Sequence, residues 1–426
     1  MPACASASAS EECSESYASL KLWLLRHGAV IHPSVDIFRD DGDGGDNSAR
    51  PSTSYRGLRT SSALAPSTLL VSVPRRLLLT SGGVSSDNLP TALVREMIKE
   101  TNKAGSSFYS VYLATLPQRA EYHILSLWTN EQARHLQASY ALARWKRLQQ
   151  QLSESVTTIQ NKIGSAATTA MCEWAVATVS TRAVYATADE PGGVLCPFGD
   201  MHNYQPPQKA CGTNVGDAAY DAQTEALNWT TKKAYTRGSE VFMTYGTYTS
   251  LDLLEYYGFL LPPRANDDHE TFELCDAAME HLDNALPLPR GDSALNRAVG
   301  AAGVLSVDAQ GTPSYALLVR ARAGALHAAG TDDRVAADKV RVGEPLKETS
   351  LECTALRAIA RCVHADLNGA PTSLEEDKAL QRKTCSDDLR FHPALSWRIA
   401  WKSALICCRQ TCDASAREDD SAPNRE

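Results

Sequence analysis

Three groupings of reactive side chains stand out along the chain, and each calls for partners that the sequence must also supply. Leu24-Leu25-Arg26-His27-Gly28 sets an imidazole beside a guanidinium after an apolar run, the arrangement of a nucleophilic histidine next to a phosphate-binding arginine. That chemistry needs a second histidine and further arginines. His327, in His327-Ala328-Ala329-Gly330, is the nearest candidate, and its surroundings do not supply them. A surface loop after an apolar segment is the simpler reading. Cys407, Cys408 and Cys412 form a tight thiol group among twelve scattered cysteines, but their spacing is not CxxC and no second cluster completes a tetrahedral zinc set. Reduced thiols are the expectation. Asp40-Asp41-Gly42-Asp43-Gly44-Gly45-Asp46 resembles a calcium loop. Counted from Asp41, however, the final position needs a bidentate Glu and holds Ser52. It reads as a flexible acidic loop. Asn228-Trp229-Thr230 matches a glycosylation sequon, with no secretory signal to make it meaningful.

The elements that would position any site follow from periodicity. The 426 residues suggest two or three units of ordinary size, and 43% hydrophobic content supports a substantial core. Residues 1–16 read as a disordered tail, as do 414–426. Leu20 to Leu25 is apolar and fits helix or strand. From Arg56 to Thr80 the texture is β, with Leu69-Leu70-Val71-Ser72-Val73 running into Pro74. Leu93–Lys99 and Glu131–Leu152 read as helices. In the second, Leu136, Tyr140, Trp145, Leu148 and Leu152 share a face, and Thr129-Asn130-Glu131 supplies capping residues. β character returns from Val194 to Tyr245. After Pro262-Pro263 the chain becomes helical, with Leu351–Leu367 and Ser396–Cys408 clearly amphipathic. A net charge of -8, from 42 Lys+Arg against 50 Asp+Glu, argues against nucleic acid or an acidic lipid surface as partner. No apolar run approaches the ~20 residues of a membrane span. A soluble intracellular protein, cytoplasmic or nuclear, is the default.

A series spread over the chain carries more information than any single motif. It runs through Arg56-Gly57-Leu58, Val73-Pro74, Leu77-Leu78-Leu79-Thr80, Phe108-Tyr109, Tyr112-Leu113, Leu116-Pro117 and Leu127-Trp128-Thr129-Asn130-Glu131. It continues with Trp174-Ala175, Val179-Ser180-Thr181-Arg182-Ala183, and Leu195-Cys196-Pro197-Phe198-Gly199-Asp200-Met201-His202-Asn203-Tyr204. Gly238-Ser239-Glu240-Val241-Phe242-Met243-Thr244-Tyr245-Gly246 and Leu253-Leu254-Glu255-Tyr256-Tyr257-Gly258-Phe259 close it. In order and spacing this series resembles the SET-domain methyltransferases of the Rubisco large-subunit methyltransferase type, a group that includes the actin-histidine methyltransferase. The stretch Thr372-Ser373-Leu374-Glu375-Glu376-Asp377 resembles part of the helical substrate-binding domain that follows SET there.

The resemblance implies an α+β fold: a β-rich SET domain over 17–262 with a helical insert at about 90–178, then a mostly α-helical substrate-binding domain over 263–413. It implies S-adenosyl-L-methionine (SAM) as cofactor, no metal, and methyl transfer to a lysine, or a histidine, of a protein substrate docked on the helical domain of a monomer. Tyr245 and Tyr257 would line the catalytic channel, although each could instead be a core tyrosine with a satisfied hydroxyl. Arg56, Gly57 and Leu58 would flank the methionine end of SAM, Arg182 would meet its carboxylate, Asn203 its amino group, and Tyr204 would lie beside adenine. Three motifs depart from the family's pattern. Tyr55-Arg56-Gly57 stands for Gly-Arg-Gly, Asn203-Tyr204 for Asn-His, and Thr249-Ser250 for Ser-Asn. His202 reads as a surface or packing histidine. Tyr55 and Tyr204 motivate a rival reading, a SET scaffold without effective cofactor binding that serves in protein interaction.

Overall fold

In Leu69-Leu70-Val71-Ser72-Val73 the side chains of Leu70, Val71 and Val73 are buried, Ser72 is half-buried and Leu69 is exposed, a mostly apolar β run with a register shift between Leu69 and Val71. The computed structural model places it inside a four-stranded antiparallel sheet. The structure describes residues 5–40, 55–82, 89–186, 190, 192–207, 216–331, 334–383 and 390–421, so the acidic loop expected at 40–46 lies beyond Asp40 outside the described residues. The strands are β1 (Val30–Ile31), β2 (Val35–Asp40), β3 (Tyr55–Thr60), β4 (Leu69–Pro74), β5 (Gly216–Asp221), β6 (Ala226–Thr231), β7 (Thr271–Glu273) and β8 (Ser306–Asp308). β1, β4, β6 and β5 form the main sheet in that order, while β2–β3 and β7–β8 are antiparallel pairs. Helices account for most of the remainder, and the fold is α+β.

Two compact units divide the chain. The first comprises 1–127, 148–248 and 252–259, and the second 128–147, 249–251 and 260–426. In the first, Val71 and Val73 of β4 pack with Leu227 and Trp229 of β6, with Leu20 and Leu24 of the helix Ala5–Arg26, and with Met97 of the helix Leu89–Asn102. The sequon is therefore part of a sheet core: Trp229 is fully buried between its neighbours in β6. The second unit is mainly helical, with Thr349–Asn368 and Phe391–Ser421 as its long helices.

Three expectations need correction. The first 16 residues are not all tail, because a helix starts at Ala5; alanine is the best intrinsic helix former, and the apolar run at Leu20–Leu25 anchors the helix from its other end. The last helix likewise continues to Ser421, beyond 413. The helix expected over 131–152 is broken. Asn130–Arg134 is a short helix, capped by Thr129 with Gln132 reciprocating, and Ser139–Ile163 is a separate one. Gln137 between them has φ +65°. Its Oε1 accepts from Lys402 Nζ at 2.7 Å, while the His135 carbonyl accepts from Arg398 at 2.8 Å. The interruption frees a carbonyl for a buried guanidinium, a tertiary demand that local periodicity does not register.

Candidate active site

β3 supplies the first wall of the site. It pairs with β2 in register Phe38↔Gly57 and Arg39↔Arg56. The stretch leading to Tyr245 then runs alongside it: Thr60 N–H donates to Ser239 O at 3.0 Å, and Val241 N–H to Leu58 O at 2.7 Å. Two residues on, the same stretch meets a different neighbour. Met243 N–H donates to Asn203 O at 2.8 Å and Gln205 N–H to Met243 O at 2.9 Å, a parallel bridge between Tyr204 and Met243. One extended segment therefore holds the first β stretch and the 203–205 segment together by backbone hydrogen bonds.

A polar cradle lies where these strands meet. Asn203 Nδ2 donates to Arg56 O at 2.7 Å and to Glu240 Oε1 at 2.6 Å. The Tyr55 hydroxyl lies 2.8 and 2.9 Å from the two Glu240 oxygens. Gly57 is required here, because a Cβ at that position would stand 2.6 Å from both Asn203 Nδ2 and Glu240 Oε1. Arg56 turns its guanidinium to Tyr17 Oη at 3.0 Å and Thr115 O at 2.9 Å. Leu58 is wholly buried in the core.

An aromatic cluster forms the other wall. The Tyr245 and Tyr257 rings are 4.9 Å apart, and Tyr204 and Tyr245 5.3 Å. Phe259 flanks Tyr204 and Tyr257 at 6.3 and 6.1 Å, and Tyr248 stands edge-on to Tyr257 at 5.5 Å. Gly258, at φ +79°, carries Tyr257; a Cβ on it would lie 2.5 Å from the backbone at His123 and Ile124, which fixes this chain segment closely. The Tyr245 hydroxyl donates to His202 O and that of Tyr204 to Gly246 O at 3.0 Å. Burial raises the pKa of Tyr245 and of Tyr257, the latter also through Tyr248. Burial, with Tyr248, pushes Tyr204 up to about 12. All three are therefore neutral phenols near pH 7, able to donate and accept hydrogen bonds but unable to act as phenolate bases.

The two walls join at one peptide. His202 carries the carbonyl that receives Tyr245, and Asn203, the next residue, reaches Arg56 and Glu240. The structure thus brings Tyr245, Tyr257 and Tyr204 together, and Arg56, Gly57 and Asn203 together, with His202–Asn203 between. Arg182 occupies another position. Its Nη1 lies 3.0 Å from Asp200 O and 3.2 Å from Asp200 Oδ2, and the fully buried Asp200 carboxylate also accepts from Tyr112 at 2.8 Å. Burial opposes the Arg182 charge, but Asp200 outweighs it and raises the pKa further. His202 is a packing histidine: 2% exposed, ring parallel to Trp229, Nδ1–H donating to Gly199 O at 2.9 Å, with burial lowering its pKa to about 4.

Glu240, Tyr248 and Asp200 were not singled out from sequence. Glu240 stands in the quoted run before Tyr245, where a carboxylate amid apolar residues was the available signal. Among the described residues no group of three or more His, Cys, Asp or Glu is arranged to hold a metal ion. Arg26 ends a helix rather than a strand, with His27-Gly28 just beyond it, and the His27 ring lies against Trp23 and Phe108 at 5.2 and 5.4 Å.

The solved structures share this architecture across the chain. Rubisco LSMT, as its SET domain bound to methyl-lysine and AdoHcy, superposes with a TM-score of 0.68, covering 95% of this chain and 93% of that one at 17% identity. Rubisco LSMT bound to sinefungin and monomethyllysine gives 0.67, covering 96% and 94% at 17% identity. By sequence, Protein SET DOMAIN GROUP 40 of Arabidopsis thaliana is 27% identical over 268 residues, 51% of this chain and 52% of that protein. SET domain-containing protein 4 of Artemia parthenogenetica is 30% identical over 249 residues, 52% and 59%. The chain thus spans a little over half the length of the curated relatives it matches. No family model matches it. Threading of the Tyr245 segment between β3 and Asn203 and the coverage of the solved structures agree on the fold: the chain has the SET fold in its Rubisco LSMT form, and about half of it is similar in sequence to SET-domain proteins.

Proposed function

We propose that the chain is a SAM-dependent protein-lysine methyltransferase. The observation that carries this reading is the junction at His202–Asn203, which sets a neutral phenol of the aromatic wall beside the Gly57 cradle. The donor set suits a cationic ligand. It consists of backbone carbonyls (Arg56 O, His202 O, Gly246 O), one carboxylate and several aromatic faces, all attractive to a sulfonium or an ammonium. The related solved structures hold AdoMet or AdoHcy, with lysine or methyl-lysine in some of them.

When bound, SAM would supply an electrophilic methyl carbon that an amine can attack in line, the C–S bond breaking as the neutral thioether leaves. The chain's own residues do the positioning. Gly57, with no Cβ, allows close approach to β3, and Asn203 and Arg56 O lie beside it. Arg182, held by Asp200, is assigned to the carboxylate end. Tyr204 and Phe259 exclude water from one side. A lysine amine, with an ordinary pKa of about 10.4, has no lone pair at neutral pH until its ammonium form is disfavoured, and the aromatic wall of Tyr245 and Tyr257 does this by desolvation. Tyr245 donates its own proton to His202 O, so its oxygen is left to accept from the amine N–H and aim the nitrogen lone pair. His202 O and Gly246 O are the acceptors available to a polarised methyl C–H. The helical second unit is assigned to protein-substrate docking.

Isothermal titration of the chain with SAM, followed by transfer of labelled methyl to a mixture of proteins, tests the proposal. Saturable binding and label stable on lysine are expected. No binding at millimolar SAM overturns it.

A further inference from the structure

Tyr55, the residue that departs from Gly-Arg-Gly, and Glu240 are 185 positions apart and hydrogen-bonded. The hydroxyl bridges both carboxylate oxygens. Glu240 Oε1, so held, accepts one N–H of Asn203 at 2.6 Å, and Arg56 O accepts the other at 2.7 Å. Both amide donors are then used. Turning the carboxamide over would set Oδ1 against a carbonyl oxygen and a carboxylate oxygen at those distances, which is repulsive. The side chain is therefore locked with its acceptor, Oδ1, as the atom left for a ligand, and no described residue bonds it.

We infer that Glu240, clamped by Tyr55, is a positioning residue: it fixes the Asn203 carboxamide so that Oδ1 receives the α-ammonium group of the methyl donor. This rests on the proposed SAM-dependent reading and adds to it two residues that act through Asn203. The Tyr55 departure then belongs to the device. A glycine at 55 would leave Glu240 without this donor, and the carboxylate could turn away from Asn203.

The test is titration of the full chain with SAM and with the analogue lacking the α-amino group. Glu240→Ala removes the acceptor that faces Asn203 Nδ2, so the carboxamide is released. Its SAM affinity should fall about tenfold while the desamino analogue changes little. Tyr55→Phe keeps the ring and removes one hydrogen bond, with a fall of about threefold expected. Because Glu240 acts through Asn203, the double variant Glu240→Ala/Asn203→Ala should bind SAM no more weakly than Asn203→Ala. SAM binding by Glu240→Ala and Tyr55→Phe within about twofold of the unmodified chain overturns the inference, as does a double variant whose losses multiply. If the unmodified chain binds no SAM, the functional reading falls and this one with it. Binding that is indifferent to Glu240 removes the clamp alone.

Discussion

Each unit contains a carboxylate gripped by more than one side chain, and the two networks differ in what they leave open. In the helical unit Asp377 is fully buried, with Arg398 2% and Lys402 1% exposed. Its Oδ1 accepts from Thr372 and from Arg398, both at 2.7 Å, and its Oδ2 from Lys402 at 2.6 Å. Lys402 also reaches Gln137 Oε1 at 2.7 Å and Thr372 O at 2.6 Å. Both carboxylate oxygens are occupied from within the unit, by Thr372 just before Asp377 and by Arg398 and Lys402 of the last helix. In the SET unit Glu240 grips Asn203 just as closely, yet Asn203 Oδ1 has no partner among the described residues. A network closed on its acceptors fixes a fold, whereas one that keeps an acceptor in reserve can recognise a ligand.

Asp377→Ala tests the closed network and carries the largest expected effect. It strands two buried cations, which costs about 3–5 kcal/mol, read as a fall in the denaturation midpoint. The same carboxylate predicts a pH dependence. Burial raises its pKa, but hydrogen bonds from Lys402, Thr372 and Arg398 outweigh that and leave it lowered. The unfolded chain, near 3.9, then binds the proton first as pH falls. The stabilisation is present above about pH 4 and is lost as pH drops through the lower folded value. An acid melting profile identical in Asp377→Asn and the unmodified chain would contradict this.

The open network breaks differently. Tyr245→Phe removes the phenol that donates to His202 O and, in the proposed reaction, orients the amine. Because the Gly57 cradle survives, SAM affinity should stay within about threefold while turnover falls about a hundredfold. Full turnover shows that another residue aims the amine. Gly57→Ala should do the reverse at smaller size. Its Cβ collides with both Asn203 and Glu240, so SAM affinity falls about tenfold as the clamp is pushed aside, with a loss of about 1–3 kcal/mol in folding stability. Unaltered affinity would show that the cradle yields without consequence.

The contrast also explains what could be read from residues alone. Tyr245, Tyr257 and Gly57 belong to ordered runs whose types declare themselves, and the apolar run at Leu69–Val73 is a local signal for the strand that forms there. Thr129 announced its cap in the same way. The break at Gln137 was illegible because its cause, Lys402 and Arg398, lies far along the chain. The pairing of Tyr55 with Glu240 was hidden for that reason too. Taken separately, one looked like a loss and the other like a strand residue; only together do they make a clamp. Arg182 shows a third kind of gap. The resemblance assigned it to a cofactor carboxylate, and its pairing with Asp200, which holds the guanidinium in place, was not readable from its own run.

The smallest effect is expected where a suggestive motif turns out to be closed. His27 Nδ1 lies 2.7 Å from Trp23 O of the preceding helical turn, and its ring fits edge-on against Phe108. A carbonyl only accepts, so the proton sits on Nδ1 and this edge of the imidazole is engaged with its own helix end. Arg76, the nearby guanidinium, donates to His27 O at 2.6 Å, a backbone contact that needs no imidazole. His27→Ala should therefore remove one local hydrogen bond and an aromatic contact, a loss of about 1 kcal/mol in stability, with methyl transfer unchanged. Release of phosphate from a phosphomonoester that disappears in this variant would return His27 to the open class and give the chain a second chemistry.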